Sequence, residues 1–282
     1  MKRKVRGTGR NGARLNARHD GRPPRGVLVL IGGASTVDGN ALGSFLELSG
    51  ARSGKRLVGL TMASGDPATS AKEWLEVFRT AGATDVEIPK FDGKDSSVDK
   101  VVASMVLSAG GVFLGGGDQV ALVETLAGTA TAAALETFYR EGGVIGGTSA
   151  GAAGLSELTM AGGELDAEGH LVEQYLGPGL GLIGFDAIID THFTRRGRLQ
   201  RLFLVVARNP KLLGIGIDED TALVVRGHIG EVVGAGGVTF IDARDTVRYD
   251  NAAELEKGRQ LTISHLRVGI VGTHHRLNLQ RR

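Results

Sequence analysis

A chain of 282 residues with 41% hydrophobic side chains is long enough to bury one large α/β core or two small ones. It has no cysteine, which excludes disulfides, thiolate metal sites and a cysteine nucleophile, so a covalent catalyst must attack through oxygen or nitrogen. The net charge of +2 hides an asymmetry: residues 1–25 hold nine Lys or Arg against the single acid Asp20, giving +8, and the remainder carries −6.

Residues 1–25 read as a solvated, disordered basic arm rather than a nucleic-acid-binding element, and residues 26–282 as a single α/β domain. No apolar run approaches the roughly 18 to 20 residues that span a bilayer, and no apolar signal core follows the N-terminal charges. A soluble, cytoplasmic protein is expected.

Short apolar runs recur along the chain, most of them ending in glycine clusters: GVLVLIGGAS (26–35), KRLVGLTMASG (55–65), GGVFLGGGDQ (110–119), GGVIGGTSAG (142–151) and LLGIGIDED (212–220). Continuous apolar strands suit a parallel sheet covered on both faces. Helical patterns lie between them. Asp66 and Pro67 make a cap and first-turn pair for a helix carrying Trp74, Leu75 and Phe78. Ser96 or Ser97 is expected to cap the next, where Val98, Val101, Val102, Met105 and Val106 form an apolar stripe. A third stripe, Leu199, Leu202, Phe203 and Val206, stops before Asn209 and Pro210. The alternation predicts an open, mostly parallel, doubly wound sheet with helices on both faces and ligands beyond the carboxyl ends of its strands. After residue 220 only short strands follow, expected as an antiparallel extension of the same sheet.

Gly147-Thr148-Ser149-Ala150-Gly151 spells G-x-S-x-G between a strand and a small-residue helix start. Small neighbours permit the strained turn that lifts a serine Oγ above a sheet edge, with the Ala150 N–H facing a developing oxyanion. A serine there can equally cap the helix. Among seven histidines, His192 stands at the end of an apolar strand and so at the same sheet edge, while His265, His274 and His275 lie in the late section. A general base needs an orienting carboxylate; Glu219 ends another strand, with Asp218, Asp220 and Glu164 as competitors. Arg196, Arg198 and Arg201, expected to begin a helix directly after His192, suit carboxylate recognition. In LGGGDQ, which lacks a Walker lysine, Gly116 or Gly117 can supply a backbone donor to an oxyanion, and Gln119 can reach a substrate. GLGLIG (179–184) precedes a strand instead of following one, so it reads as a turn and not as a dinucleotide site. No metal site and no cofactor are expected.

Taken in order, GGGDQ, GTSAGA, DTHFTRRGRLQRL and GIDEDTAL resemble the cyanophycinase family of serine peptidases, which is related to peptidase E; the likeness runs from about Gly26 to Leu279. It implies the open α/β sheet of class I glutamine amidotransferases, with serine in place of cysteine. It further implies a serine-type exopeptidase that hydrolyses cyanophycin, a poly-aspartate chain bearing arginine on its β-carboxylates, to β-aspartyl-arginine dipeptides. By position Ser149 is the nucleophile, His192 the base and Glu219 the orienting acid, Glu164 matching an alternative acid position. Gln119, Asp190, Arg196, Arg198 and Arg201 match the family's substrate pocket, and Thr191 replaces a glutamine common in the cyanobacterial form. A homodimer acting on cyanophycin or short aspartyl-arginine peptides follows from the same likeness, while the cytoplasmic location and the absence of a membrane or nucleic-acid partner are expected from the composition alone. Alternatives are an aspartyl or isoaspartyl dipeptidase of the peptidase E type and a non-enzymatic binding module on the same fold.

Overall fold

The computed structural model describes residues 25–165, 171–244, 247–248 and 263–280. Residues 1–24 of the expected basic arm lie outside the described residues. The first five strands are β1 (Val27–Ile31), β2 (Leu57–Leu60), β3 (Val86–Glu87), β4 (Gly111–Leu114) and β5 (Val144–Thr148). They pair in parallel in the order β1-β5-β4-β2-β3. The helices between them are α1 (Asn40–Ser49), α2 (Pro67–Thr80), α3 (Ser96–Ser108), α4 (Gln119–Leu126) and α5 (Ala130–Arg140).

Successive strand side chains point to opposite faces, and both faces are buried. Leu28 and Leu30 of β1 join one core cluster with Val102 and Val106 of α3 and Leu135 of α5. Val29 and Ile31 join a second with Leu42 and Phe45 of α1 and Phe78 of α2. Asp66 caps α2 by accepting from the Thr69 N–H at 3.1 Å, ahead of Pro67 in the first turn. The cap of α3 is Asp95 rather than Ser96 or Ser97; its carboxylate accepts from the Ser97 N–H at 2.8 Å, an aspartate being a stronger acceptor at a helix N-terminus than a hydroxyl. Val101, expected in the stripe of α3, is 60% exposed, and Ala103 turns inward instead.

The later part of the chain departs from the expectation of one continuous sheet. It contains α6 (Ala150–Ala153), β6 (Leu158–Leu165), β7 (Leu171–Pro178), β8 (Ala187–Asp190), α7 (Leu199–Arg208) and β9 (Leu213–Ile217). Then come β10 (Thr221–Arg226), β11 (Ile229–Gly234), β12 (Val238–Asp242), β13 (Val247–Arg248), β14 (Ile263–Ser264), β15 (Arg267–Val271) and β16 (Arg276–Asn278). β10, β11 and β16 do extend the first sheet, antiparallel beyond β1, to eight strands. A second sheet runs β15-β12-β9-β8-β6-β7. The division falls in the turn 218–220, where Asp220 takes φ 47°: β9 stays beside β8 and β12, while β10 turns back along β1. Ile189 and Ile215 of the second sheet share the core cluster of Leu28 and Leu30, and α7 covers its other face with Leu202 and Val206. The GLGLIG segment is a turn leading into β8. The carboxyl ends of β1, β5 and β8 and the β9–β10 turn meet where the two sheets adjoin.

Candidate active site

Ser149 follows β5 with φ 52° and ψ −115°, a conformation that L-residues adopt at a cost. Its turn is made possible by close backbone approach: a Cβ on Gly147 would stand 2.5 Å from the Gly151 carbonyl oxygen. The Ser149 side chain makes no capping hydrogen bond to α6, so its hydroxyl is not engaged as a helix cap. The hydroxyl lies 3.0 Å from His192 Nε2, and His192 Nδ1 lies 2.6 Å from Glu219 Oε1. His192 is 9% exposed, while the Glu219 side chain keeps 31% of its surface.

The competing acids are engaged elsewhere. Asp218 accepts from the Thr194 N–H at 3.0 Å and the Gly237 N–H at 3.2 Å. Asp220 accepts from the N–H and hydroxyl of Thr36, each at 3.3 Å. Glu164 lies on β6, paired across the hairpin with Glu173, and its side chain is outside the described residues. Glu219 is therefore the acid that meets the imidazole.

Three backbone tethers fix these residues to one another. The N–H of Ser149 donates to the Ile31 carbonyl at 3.0 Å, that of His192 to Gly32 at 2.7 Å, and that of Asp220 to Gly33 at 2.9 Å. Gly116 lies against the serine, since a Cβ there would sit 3.4 Å from Ser149 Cβ. The N–H groups of Gly116 and Gly117 donate to no group among the described residues. Ala150 is the first residue of α6, where a helix leaves its N–H without an intrahelical acceptor.

The arginines are arranged differently from the sequence expectation. Residues 193–198 form a turn and α7 begins at Leu199, so Arg196 precedes the helix and Arg198 stands at its N-cap. The reason lies in Asp190, which is 2% exposed and draws two guanidinium groups inward. Arg198 Nη1 donates to Asp190 Oδ1 at 3.2 Å and to the Thr191 carbonyl at 2.6 Å. Arg201 Nε donates to Asp190 Oδ2 at 2.6 Å, and its Nη2 donates to Asp190 Oδ1. The Thr191 N–H also donates to Asp190, at 2.9 Å, and Thr191 itself is 3% exposed. Burial lowers the pKa of Arg198, with Asp190 acting against it and Arg201 and Arg196 adding repulsion. The Arg196 side chain is exposed and its guanidinium has no hydrogen bond or ion pair among the described residues, while its backbone N–H donates to the His192 carbonyl at 3.0 Å. Gln119 opens α4 and donates its amide N–H to the Met160 carbonyl, tying α4 to β6.

A hydroxyl hydrogen-bonded to an imidazole whose second nitrogen meets a carboxylate is the arrangement that nucleophilic acyl transfer requires. Among the described residues no cluster of three or more His, Asp or Glu could hold a metal ion, and no helix is long and apolar enough to cross a membrane. The residues at the end of β1 went unassigned in the sequence, although the glycine pair in LIGGAS was a visible signal.

Comparison with known proteins points the same way. The model of peptidase family S51 matches residues 28–233. The cyanophycinase of Trichormus variabilis is 34% identical over 259 residues, covering 91% of this chain and 86% of the relative. That of Thermosynechococcus vestitus is 33% identical over 261 residues, covering 91% and 80%. Among solved structures, a peptidase from an acI-B1 actinobacterium aligns with TM-score 0.63 at 19% identity, covering 90% of this chain and 96% of that one, a likeness of fold.

Proposed function

The chain belongs to peptidase family S51 and is a serine peptidase, and we propose on that premise that it degrades cyanophycin, releasing β-aspartyl-arginine dipeptides through an acyl-enzyme. The observation that carries the mechanism is the continuous hydrogen-bonded path from Ser149 Oγ through the His192 ring to Glu219. His192 Nε2 takes the serine proton as Oγ attacks the scissile carbonyl, and Glu219 holds the Nδ1–H and balances the imidazolium that forms. The tetrahedral oxyanion is met by the N–H of Ala150 and by that of Gly116 or Gly117, donors left open for an acceptor that exists only in the transition state. Collapse expels the amine, which receives the proton from His192. Water, deprotonated by the same imidazole, then cleaves the acyl-enzyme.

Substrate recognition rests on positive charge. Asp190 neutralises one of the two guanidinium groups it holds, so the Asp190–Arg198–Arg201 cluster keeps a net charge of +1 beside Arg196. Asp190 and Thr191 act by orienting the arginines, and Arg196, whose guanidinium has no partner among the described residues, is available to meet an aspartyl carboxylate of the substrate. Gln119 lends its amide carbonyl to the same pocket. The strained turn at Ser149 acts as a nucleophile elbow, and the protein works as a cytoplasmic homodimer, a state that light scattering on the purified protein reads directly.

Incubation with insoluble cyanophycin and, separately, with an α-aspartyl dipeptide tests the substrate. The polymer is expected to be solubilised; cleavage of the dipeptide alone would assign the site to the peptidase E type of activity.

A further inference from the structure

We infer that Ile31, the last residue of β1, and the Gly32-Gly33 pair that follows it form the positioning segment of the site, and that Gly33 in particular holds the His192 imidazole in line between Ser149 and Glu219. The inference rests on the Ser149–His192–Glu219 reading and adds to it a residue that touches none of the reacting atoms of a substrate.

Two independent observations carry it. The three successive carbonyls of residues 31, 32 and 33 accept the backbone N–H of Ser149, His192 and Asp220 in that order. All three donor residues sit at positive φ, at 52°, 49° and 47°. One short segment thus sets the register of the nucleophile, the base and the turn that presents the acid, and its hydrogen bonds help hold three conformations that are unfavourable on their own. The second observation is steric. A Cβ on Gly33 would stand 2.2 Å from His192 Cε1 and 2.4 Å from Nε2. Such distances force something to move, and the imidazole is the movable partner. Its displacement would break both ring hydrogen bonds, the one to Ser149 and the one to Glu219.

Gly33 also has φ 101°, and a glycine at that φ could be required by the backbone alone. Gly82 separates the two explanations. It has φ 98°, it lies beyond the C-terminus of α2, and a Cβ there would meet only Arg52 at 3.7 Å. Gly33→Ala and Gly82→Ala therefore place a Cβ at nearly the same positive φ, and only the first carries the contact with the imidazole.

The test measures kcat, KM and the rate of fluorophosphonate labelling at Ser149 for the wild type and both variants, with Tm of Gly33→Ala in the wild-type and His192→Ala backgrounds. Gly33→Ala is expected to lower kcat and the labelling rate by at least ~100-fold with KM little changed, while Gly82→Ala lowers Tm and leaves both rates alone. Removing the ring should also relieve the clash, so Gly33→Ala costs less Tm in the His192→Ala background. If Gly33→Ala alone does not fold, recovery of folded Gly33→Ala/His192→Ala supports the contact and failure to recover it overturns it. Equal rates for the two glycine variants, or an equal loss of Tm in both backgrounds, also overturns the inference. A wild type that does not label at Ser149 would count against the nucleophile reading instead, and the Tm cycle would still decide the contact at Gly33.

Discussion

Asp99 and Glu219 are both carboxylates that answer groups distant in the chain, yet they occupy opposite kinds of surroundings. Asp99, on α3 and 9% exposed, accepts from the Ala130 N–H at 2.7 Å, the Thr131 N–H at 2.9 Å and the Thr131 hydroxyl at 2.7 Å. Every donor at the start of α5 that faces it is satisfied, and the result is a fixed joint between two helices. Glu219 keeps 31% of its side-chain surface, meets one imidazole nitrogen, and belongs to a turn whose next residue is held at positive φ. Saturated polar networks lock structure, whereas a partly satisfied network on a strained backbone keeps groups available for proton transfer. The same chemistry thus gives rigidity in one region and readiness in the other.

Substitutions in the two regions should accordingly separate activity from stability. Ser149→Ala is expected to lower kcat by roughly a millionfold, the scale set by loss of the nucleophile in other serine hydrolases, with Tm unchanged. Glu219→Gln retains the shape of the acid but loses its charge, so the imidazole loses its fixed tautomer and its counterion; kcat should fall by about 10⁴, again with little change in Tm. Both are read by steady-state assay and thermal melting.

Asp99→Ala should do the reverse. It leaves buried donors of α5 without an acceptor, a loss of about 2–4 kcal/mol, which lowers Tm by roughly 5–15 °C while kcat holds. The pH dependence adds a second reading. Burial acts to raise the pKa of Asp99, but the hydrogen bonds from the Thr131 hydroxyl and from the N–H groups of Ala130 and Thr131 outweigh it and hold it below its ordinary value. A folded-state pKa below the unfolded one contributes stability above the unfolded value, and that contribution is lost as pH falls through the folded value. In Asp99→Ala, melting temperature should therefore fall less steeply on acidification than in the wild type. The smallest effect belongs to Ala34, exposed and held at φ 48° beside the site: Ala34→Gly relieves the strain and should stabilise by about 0.5–1 kcal/mol.

The site was more legible in the sequence than the sheet arrangement was. Ser149, His192 and Glu219 each stand where an apolar run stops, and groups at strand ends gather at one edge of an open parallel sheet. What the sequence withheld is which strands pair. LLGIGIDEDTALVV reads as two strands around a turn, and nothing in its apolar pattern says that β9 and β10 join different sheets. The arginines illustrate a similar limit. Their crowding after His192 suggested free anion binders, but a buried Asp190 eleven residues before Arg201 claims two of them, a pairing that depends on the path of residues 191–198. Gly33 was visible as a glycine; the imidazole that demands it lies 159 positions further along the chain.

The central claim is that Ser149 opens an acyl-enzyme route from cyanophycin to dipeptide. Chromatography and mass analysis of the soluble products, with wild type and Ser149→Ala assayed side by side on purified polymer, tests it most directly. The account predicts β-aspartyl-arginine from the wild type and none from the variant; dipeptide released by Ser149→Ala, or none released by the wild type, would contradict it.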